Sequence, residues 1–160
     1  MSPVQLFLME TKPLLRMIAG VQDLAEIRHY LRSKAAALHI DPSTTYDILL
    51  AVTELVTNTL LYGYQEKSGF IEVQIDRDGD VLFVRLRDQA EMFDPTQVPP
   101  PNVSLPLEKR PLGGMGIYLA RQLVDSLTYQ RLPQGKNEVT LAIDLKKRGN
   151  ERDEDNANDR

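Results

Sequence analysis

The sequence predicts an α/β sandwich, in which a mixed, mostly antiparallel sheet carries its helices on one face. Two observations lead to this prediction: apolar residues recur at helical spacing in two early segments, and they alternate with polar residues in the hairpin that follows. A third is that one more helix and two more strands follow a long proline-rich loop. At 160 residues the chain has the size of one ordinary domain. We expect a single domain over residues 1–146.

Two helices are predicted in the first half of the chain. Apolar residues recur every three or four positions from Val21 to Leu38, which indicates the first helix. Asp41 is suited to the N-cap and Pro42 to the first position of a second helix, which is expected to run to about Tyr64. Before them, the strand-like segments "VQLFLME" and "LLRMIAG" flank Pro13, which predicts an edge or a turn.

A hairpin is predicted next, with its tight turn at Asp78-Gly79. In its second strand Leu82, Val84 and Leu86 share one face, and Asp88 is the next position on that face. An aspartate is therefore expected to point toward the core.

The rest of the chain begins with an irregular segment. Residues 89–112 show no periodicity and contain six of the ten prolines, which is typical of a lid or binding loop. The run "GGMG" then enters a third helix, and "LTYQRL" and "EVTLAIDL" are predicted strands joined by a turn at 133–135. Residues 147–160, which are charged and nearly devoid of apolar residues, are expected to form a disordered tail.

Composition excludes several classes of function. The chain has no cysteine and two histidines, a poor basis for a zinc site. Its net charge of -4 gives no electrostatic footprint for direct nucleic-acid binding. No apolar run is long enough to span a bilayer and no secretory leader is evident, so no membrane association and a cytoplasmic location are expected.

Three features are candidates for a functional site. Glu54 and Asn58 lie four residues apart on one helical face, with Tyr62 one turn further on. This face is either the solvent side of an amphipathic helix or part of a site. Asp88 either caps a turn or accepts a hydrogen bond from a ligand's amino group. The glycines of "GGMG" form a hinge or tight turn, or they free backbone N–H groups for a phosphate at a helix N-terminus.

Taken together, these features resemble a known superfamily. The order "ELVTN", "RDQAEMFDP", proline-rich lid and "GGMGIYLA" resembles the histidine-kinase-like (Bergerat-fold) ATP-binding superfamily of gyrase, heat-shock chaperones, histidine kinases and mismatch-repair ATPases. Within it, the sequence is most similar to the bacterial anti-sigma factor serine kinases that run stress-response and sporulation partner switches. The resemblance covers roughly Leu24 to Leu145.

The resemblance implies roles for individual residues in binding ATP and Mg²⁺. Glu54 would orient or deprotonate the attacking group, and Asn58 would be the Mg²⁺ ligand. Asp88 would accept from the adenine amino group. The remaining implied site residues are Tyr62, lining the site, Ala90 and Phe93, forming a wall beside the adenine, Gly113, Gly114, Met115 and Gly116, forming the phosphate cradle, and Ile117, packing beneath it.

The sequence departs from the family pattern at three positions. Relatives usually have two glycines after the aspartate, where this chain has Ala90 and Met92. Some relatives place a threonine near the adenine in the last hairpin, where this chain has Glu138, with Thr140 two positions on. These side chains are expected to be tolerated or to weaken nucleotide binding.

The function implied is that of a serine/threonine protein kinase. It would phosphorylate an anti-anti-sigma partner of the STAS type, alternately hold a sigma factor, and form a homodimer as family members commonly do. One alternative is a nucleotide-sensing binding module that sequesters its partner without catalysis. A second is a structural interaction protein with a decayed site. A histidine-kinase catalytic fragment is less favoured, because no phosphoacceptor helix precedes the nucleotide domain.

Overall fold

The computed structural model describes residues 14–65, 67–109 and 115–159. Within them, five strands form one sheet in the order β1-β2-β3-β5-β4, and all four pairings are antiparallel. The mixed sheet that we expected is therefore antiparallel throughout the described part of the chain. The strands are β1 (Leu14–Ala19), β2 (Gly69–Asp78), β3 (Val81–Asp88), β4 (Ser126–Leu132) and β5 (Lys136–Asp144).

The predicted hairpin and turns are confirmed. Gly79, between β2 and β3, has a φ of 59°, the left-handed conformation that glycine adopts without steric cost. Gln134 and Gly135 supply the same conformation between β4 and β5.

Four α-helices lie in the described residues: α1 (Leu24–Ala37), α2 (Pro42–Asn58), α3 (Met115–Leu123) and α4 (Leu145–Asn158). The predicted N-cap of α2 is confirmed, because the Asp41 side chain accepts a hydrogen bond from the Thr44 N–H at 2.9 Å. Helix α2 ends earlier than expected: after Asn58 the chain forms a π-helical turn, Thr59–Gly63. Such turns frequently occur at functional sites.

The hydrophobic core lies between the helices and one face of the sheet. Ile71, Val73 and Ile75 of β2 and Leu82 and Val84 of β3 are buried there together with apolar residues of α1, α2 and α3. Register places Asp88 opposite Ile71. The aspartate therefore lies on the helix-covered face, as its position in the alternation predicts.

The opposite face of the sheet carries a row of paired charges. Neighbouring strands place Arg16, Glu72, Arg87, Glu138 and Gln130 side by side. Arg87 Nη1 lies 2.5 Å from Glu72 Oε1 and Arg87 Nε lies 2.6 Å from Glu138 Oε2. Arg16 and Gln130 close the two ends by binding Glu72 and Glu138.

The prediction of a disordered tail was wrong for the described residues. Residues 145–158 form α4, whose N-cap is Asp144. Two arginines dock this helix on the N-terminal half of α2: Arg148 binds Asp47 and the Leu123 carbonyl, and Arg152 binds Asp41. The segment does lack apolar anchors, but ion pairs hold the helix instead. These pairs join residues about a hundred positions apart, so the local sequence pattern did not reveal them.

Some expectations fall on residues outside the described ranges. These are the strand-like segment "VQLFLME" and the glycines Gly113 and Gly114. None of the helices in the described ranges combines the length and apolar content needed to cross a bilayer.

Candidate functional site

A cavity of about 630 Å³ opens where the C-terminal end of α2, the sheet and the proline-rich loop meet. Its size is in the range of sites for small molecules and cofactors. Seven predicted site residues line it: Asn58, Tyr62, Asp88, Ala90, Phe93, Met115 and Ile117. Loop residues Pro95, Val98 and Leu105 line it as well. The loop therefore forms one wall of the cavity, in agreement with its interpretation as a binding loop.

Asp88 is the buried carboxylate of this cavity, whose lining also includes the exposed Glu91. Its Oδ1 accepts hydrogen bonds from Asn137 Nδ2 at 2.7 Å and from the Ala90 N–H at 3.0 Å. Burial raises the pKa of Asp88 above its ordinary value, although these donors and the charge of Arg131 oppose the rise. Asp88 therefore caps the turn at Ala90, as one interpretation predicted, and because it also faces the cavity, its role as acceptor for a ligand stays a prediction.

Asn137 is a polar residue of this site that the sequence reasoning missed. Its side chain is 4% exposed. Its Nδ2 approaches Asp88 Oδ1 and, at 3.2 Å, the Ala90 carbonyl oxygen, while its Oδ1 accepts from the Tyr129 hydroxyl at 2.7 Å. Strand alternation would have revealed it: Val139 and Leu141 face the core, so Asn137 shares their face.

Glu138 lies on the other face of the sheet, so our placement of it near the adenine was wrong. Its carboxylate is paired with Arg87 and accepts from Gln130 Nε2. The cavity is lined by its neighbours Asn137 and Val139 instead. Thr140 shares the outer face with Glu138.

The methyl group of Ala90 occupies space that is free because residue 63 is a glycine. Its side chain is 6% exposed, and a Cβ added at Gly63 would lie 2.8 Å from the Ala90 Cβ. The methyl group at position 90 therefore fits because position 63, at the end of the π-helical turn, has no side chain. Met92, the second departure, lies at the rim and is 70% exposed.

Glu54 lies beside the start of α3. A Cβ added at Gly116 would be 2.2 Å from Glu54 Oε2 and 3.5 Å from Glu54 Cβ. The absence of a side chain at Gly116 thus lets the glutamate approach the first turn of α3. Asn58 lies one turn further along α2 and lines the cavity. Glu54 does not itself line the cavity, but it lies beside Gly116, whose neighbours Met115 and Ile117 do.

The mouth of the cavity is apolar and accessible. Tyr62, Met92, Phe93 and Met115 all line it and are all at least 45% exposed. Large exposed apolar side chains grouped around a cleft are typical of surfaces that bind ligands or proteins.

Comparison with protein families identifies the type of domain. Residues 18–143 match the model of the histidine kinase-like ATPase domain, which is well over half of the chain. The matched segment contains all the predicted site residues.

Similarity to individual curated proteins agrees with this type of domain. Serine-protein kinase RsbW of Bacillus cereus is 31% identical over 85 residues, which is 51% of this chain. The chain spans about half the length of the curated relatives it matches, 53% for this one.

Two solved structures share the fold. One is the SiaB-SiaC complex of Pseudomonas aeruginosa, with a TM-score of 0.58, 15% identity and coverage of 88% of this chain and 98% of that one. The other contains the RsbU and RsbW domains of a Mycobacterium tuberculosis protein, with a TM-score of 0.54, 23% identity and coverage of 82% and 32%. The chain belongs to the histidine kinase-like ATPase family, and the curated proteins that it resembles over half of its length are serine-protein kinases.

Proposed function

We propose that the chain is a protein serine/threonine kinase that binds ATP with Mg²⁺ and phosphorylates an anti-anti-sigma partner of the STAS type. The observation that carries the proposal is that Asp88 and Asn58 line one cavity, while Glu54 lies beside Gly116, whose neighbours Met115 and Ile117 line the same cavity. Three functions, namely base recognition, metal binding and proton transfer, would thus be served within one site.

The residues present fit the base of a nucleotide. Leu86, Val139 and Ile71 line the cavity as an apolar floor, and Asp88 is the hydrogen-bond acceptor among them. A purine amino group bound there would satisfy acceptor capacity on a carboxylate that burial disfavours. Ala90 and Phe93 would contact the edge and face of the ring.

The residues near α3 fit a polyphosphate with its metal. The start of α3 offers backbone N–H groups and the positive end of the helix dipole, and Gly116 leaves space that a Cβ would fill. The described residues contain no group of three or more His, Cys, Asp or Glu side chains suited to a metal. Mg²⁺ would be held by Asn58 together with phosphate oxygens and water, a mode of binding that is common for this ion.

Glu54 would act on the partner's hydroxyl group. As serine or threonine attacks, the carboxylate would accept the hydroxyl proton and keep the oxygen oriented toward the site. When bound, MgATP supplies the phosphoryl group, which passes to that oxygen as ADP leaves. The exposed rim formed by Tyr62, Met92, Phe93 and Met115 would contact the partner domain around its serine or threonine.

The proposal on partners rests on the relatives as well as on this rim. The SiaB-SiaC complex is an assembly of a protein of this fold with a second protein. By analogy, the chain would bind a STAS-type domain as substrate and hold a sigma factor in its other state. A homodimer would provide the symmetric frame common in the family.

Calorimetric titration with ATP and ADP, with and without Mg²⁺, tests the first half of the proposal. We expect saturable binding that Asp88→Asn weakens in every condition, and a gain from Mg²⁺ that Asn58→Ala removes. Absence of saturable binding by the unmodified chain would overturn the kinase proposal.

Phosphoryl transfer to a purified STAS-type domain tests the second half. Glu54→Gln keeps the shape of the side chain, and we expect it to abolish transfer while leaving ATP affinity within about twofold. Transfer that survives this substitution would contradict the role of Glu54. ATP binding without transfer to any such domain, even by the unmodified chain, would favour the nucleotide-sensing binding module.

A further inference from the structure

Asn137 lies in a hydrogen-bond chain that runs from the edge strand β4 to Asp88. Its Oδ1 accepts from the Tyr129 hydroxyl and, at 2.8 Å, from Arg131 Nη1. Its Nδ2 faces Asp88 Oδ1 at 2.7 Å and the carbonyl oxygens of Ala90 and Glu91 at 3.2 and 3.3 Å. The amide thus connects two strands with the first residues of the proline-rich loop.

The hydrogen-bond partners of Asn137 allow only one orientation of its side-chain amide. A guanidinium can only donate, so the Asn137 atom beside Arg131 must be the oxygen. Backbone carbonyls and an ionised carboxylate can only accept, so the atom beside Ala90 and Asp88 must be the nitrogen. The partners on both sides of the amide therefore require the same orientation, with its oxygen toward Arg131 and its nitrogen toward Asp88.

The fixed amide has a consequence for Asp88. An ionised carboxylate offers about four acceptor positions, and the Asn137 amide and the Ala90 N–H use two of them. A donor from Asn137 favours the ionised form against burial, so the capacity that remains is for accepting. An amino group of a ligand matches this capacity, whereas the oxo group of a ligand does not.

We propose that Asn137 is a positioning residue that keeps Asp88 an acceptor and thereby makes the site select a purine with an amino substituent. The inference rests on the proposed nucleotide function and names the residues that determine its base specificity. Tyr129 and Arg131 act one step further out, by holding the amide in its orientation. Asn137 also ties the start of the proline-rich loop to Asp88 through its hydrogen bonds to the Ala90 and Glu91 carbonyl oxygens.

The test compares two ligands that differ only in the amino group. Dissociation constants for ATP and for purine riboside triphosphate, each with Mg²⁺, would be measured by calorimetry for the unmodified chain, Asn137→Ala and Tyr129→Phe. We expect the preference for ATP to fall about tenfold in Asn137→Ala and about threefold in Tyr129→Phe, as expected for losing one charge-assisted hydrogen bond and for weakening it. Thr140→Ala, on the same strand but the opposite face, should keep the preference.

An equal loss of affinity for both ligands would assign Asn137 a merely structural role and overturn the inference. The milder Tyr129→Phe change, which removes one hydroxyl, keeps the test decisive if Asn137→Ala fails to fold. A chain that binds neither ligand before any substitution would overturn the proposed function and the specificity with it.

A measurement without nucleotide separates the two failures. Carboxyl-carbon NMR of the isolated chain gives the pKa of Asp88 directly. We expect this pKa to rise further in Asn137→Ala and, by a smaller amount, in Tyr129→Phe, because the donor that favours the charged form is lost or misplaced. An unchanged pKa of Asp88 in both variants would overturn the positioning role even if ATP binds.

Discussion

The two faces of the sheet treat a buried carboxylate in opposite ways. On the outer face Glu72 is 3% exposed and binds both Arg16 and Arg87. Burial alone would raise the pKa of Glu72, but the two guanidinium groups outweigh it and the pKa is lowered. On the inner face Asp88 has hydrogen bonds from neutral donors, and burial raises its pKa.

This difference separates a structural carboxylate from one that is available to a ligand. The acceptor capacity of Glu72 is directed at fixed positive charges, so a ligand would have to displace an arginine. Asp88 keeps its charge at a cost and lines a cavity that a donor can enter. Arg87 and Asp88 are adjacent in the chain, so alternation along one strand produces both environments.

The largest expected effect is a loss of stability when the row of paired side chains on the outer face of the sheet is interrupted. Arg87→Ala would leave Glu72 and Glu138 buried without their shared partner, and we expect the free energy of unfolding to fall by about 3 kcal/mol. Denaturant unfolding would measure it. Arg85→Ala is the matched control, since Arg85 lies on the same strand and face and contacts the Phe83 ring. Similar losses in both variants would contradict a special role for the row.

The next effect comes from neutralising the inner carboxylate. Asp88→Asn should weaken ATP binding about thirtyfold, close to the value of one hydrogen bond to a charged group. The free energy of unfolding should change by less than about 1 kcal/mol, because a neutral amide at this buried position needs no counter-charge. Calorimetric binding and denaturant unfolding of the same sample would show both. A large loss of stability with unchanged affinity would reverse our assignment of the two faces.

The pH dependence of ATP affinity would sharpen the contrast. Since the pKa of Asp88 is raised above 3.8, protonation should begin to weaken ATP binding at a higher pH than for an ordinary aspartate, by up to about tenfold per pH unit. Titrations between pH 8 and 4 would be compared with Asp88→Asn, in which this part of the dependence should be absent. Identical profiles for the two proteins would rule out Asp88 as the titrating acceptor.

The pKa shifts of Asp88 and Glu72 change the pH dependence of folding stability in opposite directions. The folded-state pKa of Asp88 is raised, so its contribution is present below the unfolded pKa and is lost as pH rises through the folded one. The folded-state pKa of Glu72 is lowered from 4.5, so its contribution is present above that value and is lost as pH falls through the folded pKa.

The smallest effect concerns a carboxylate that is neither buried nor in the cavity. Burial opposes the change, but Arg152 and the Thr44 N–H lower the pKa of Asp41 to about 2. This stabilisation is complete above 3.8 and is lost as pH falls toward 2. Because the pair is partly exposed, Arg152→Ala should cost only about 0.5 kcal/mol at neutral pH.

Unfolding measured from pH 7 to 2 would check this last expectation. The difference between the unmodified chain and Arg152→Ala should disappear at the acid end. Lys146→Ala, on the same helix, serves as the control for changing its charge. A difference that persists at pH 2 would show that Arg152 acts by packing rather than through Asp41.

Local sequence patterns determined much of this fold. The capped start of α2, the hairpin turn at Gly79 and the alternation that aims Asp88 at the core each depend on residues close in the chain. Helical spacing likewise sufficed to place Glu54 and Asn58 on one face. The interactions that determine these features span only a few residues, so the features can be predicted from the local sequence pattern.

Tertiary structure decided the rest, because the remaining contacts join residues far apart in the chain. The methyl of Ala90 is accommodated only because Gly63 lies against it, and on the outer face Glu138 finds its partner Arg87 across the paired strands. Helix α4 is docked by arginines that reach α2 across the length of the domain. By itself the sequence identified seven of the residues that line the cavity, but not Asn137. Only long-range packing decided that Asn137 supports Asp88, since β5 must first pair with β3 in this register.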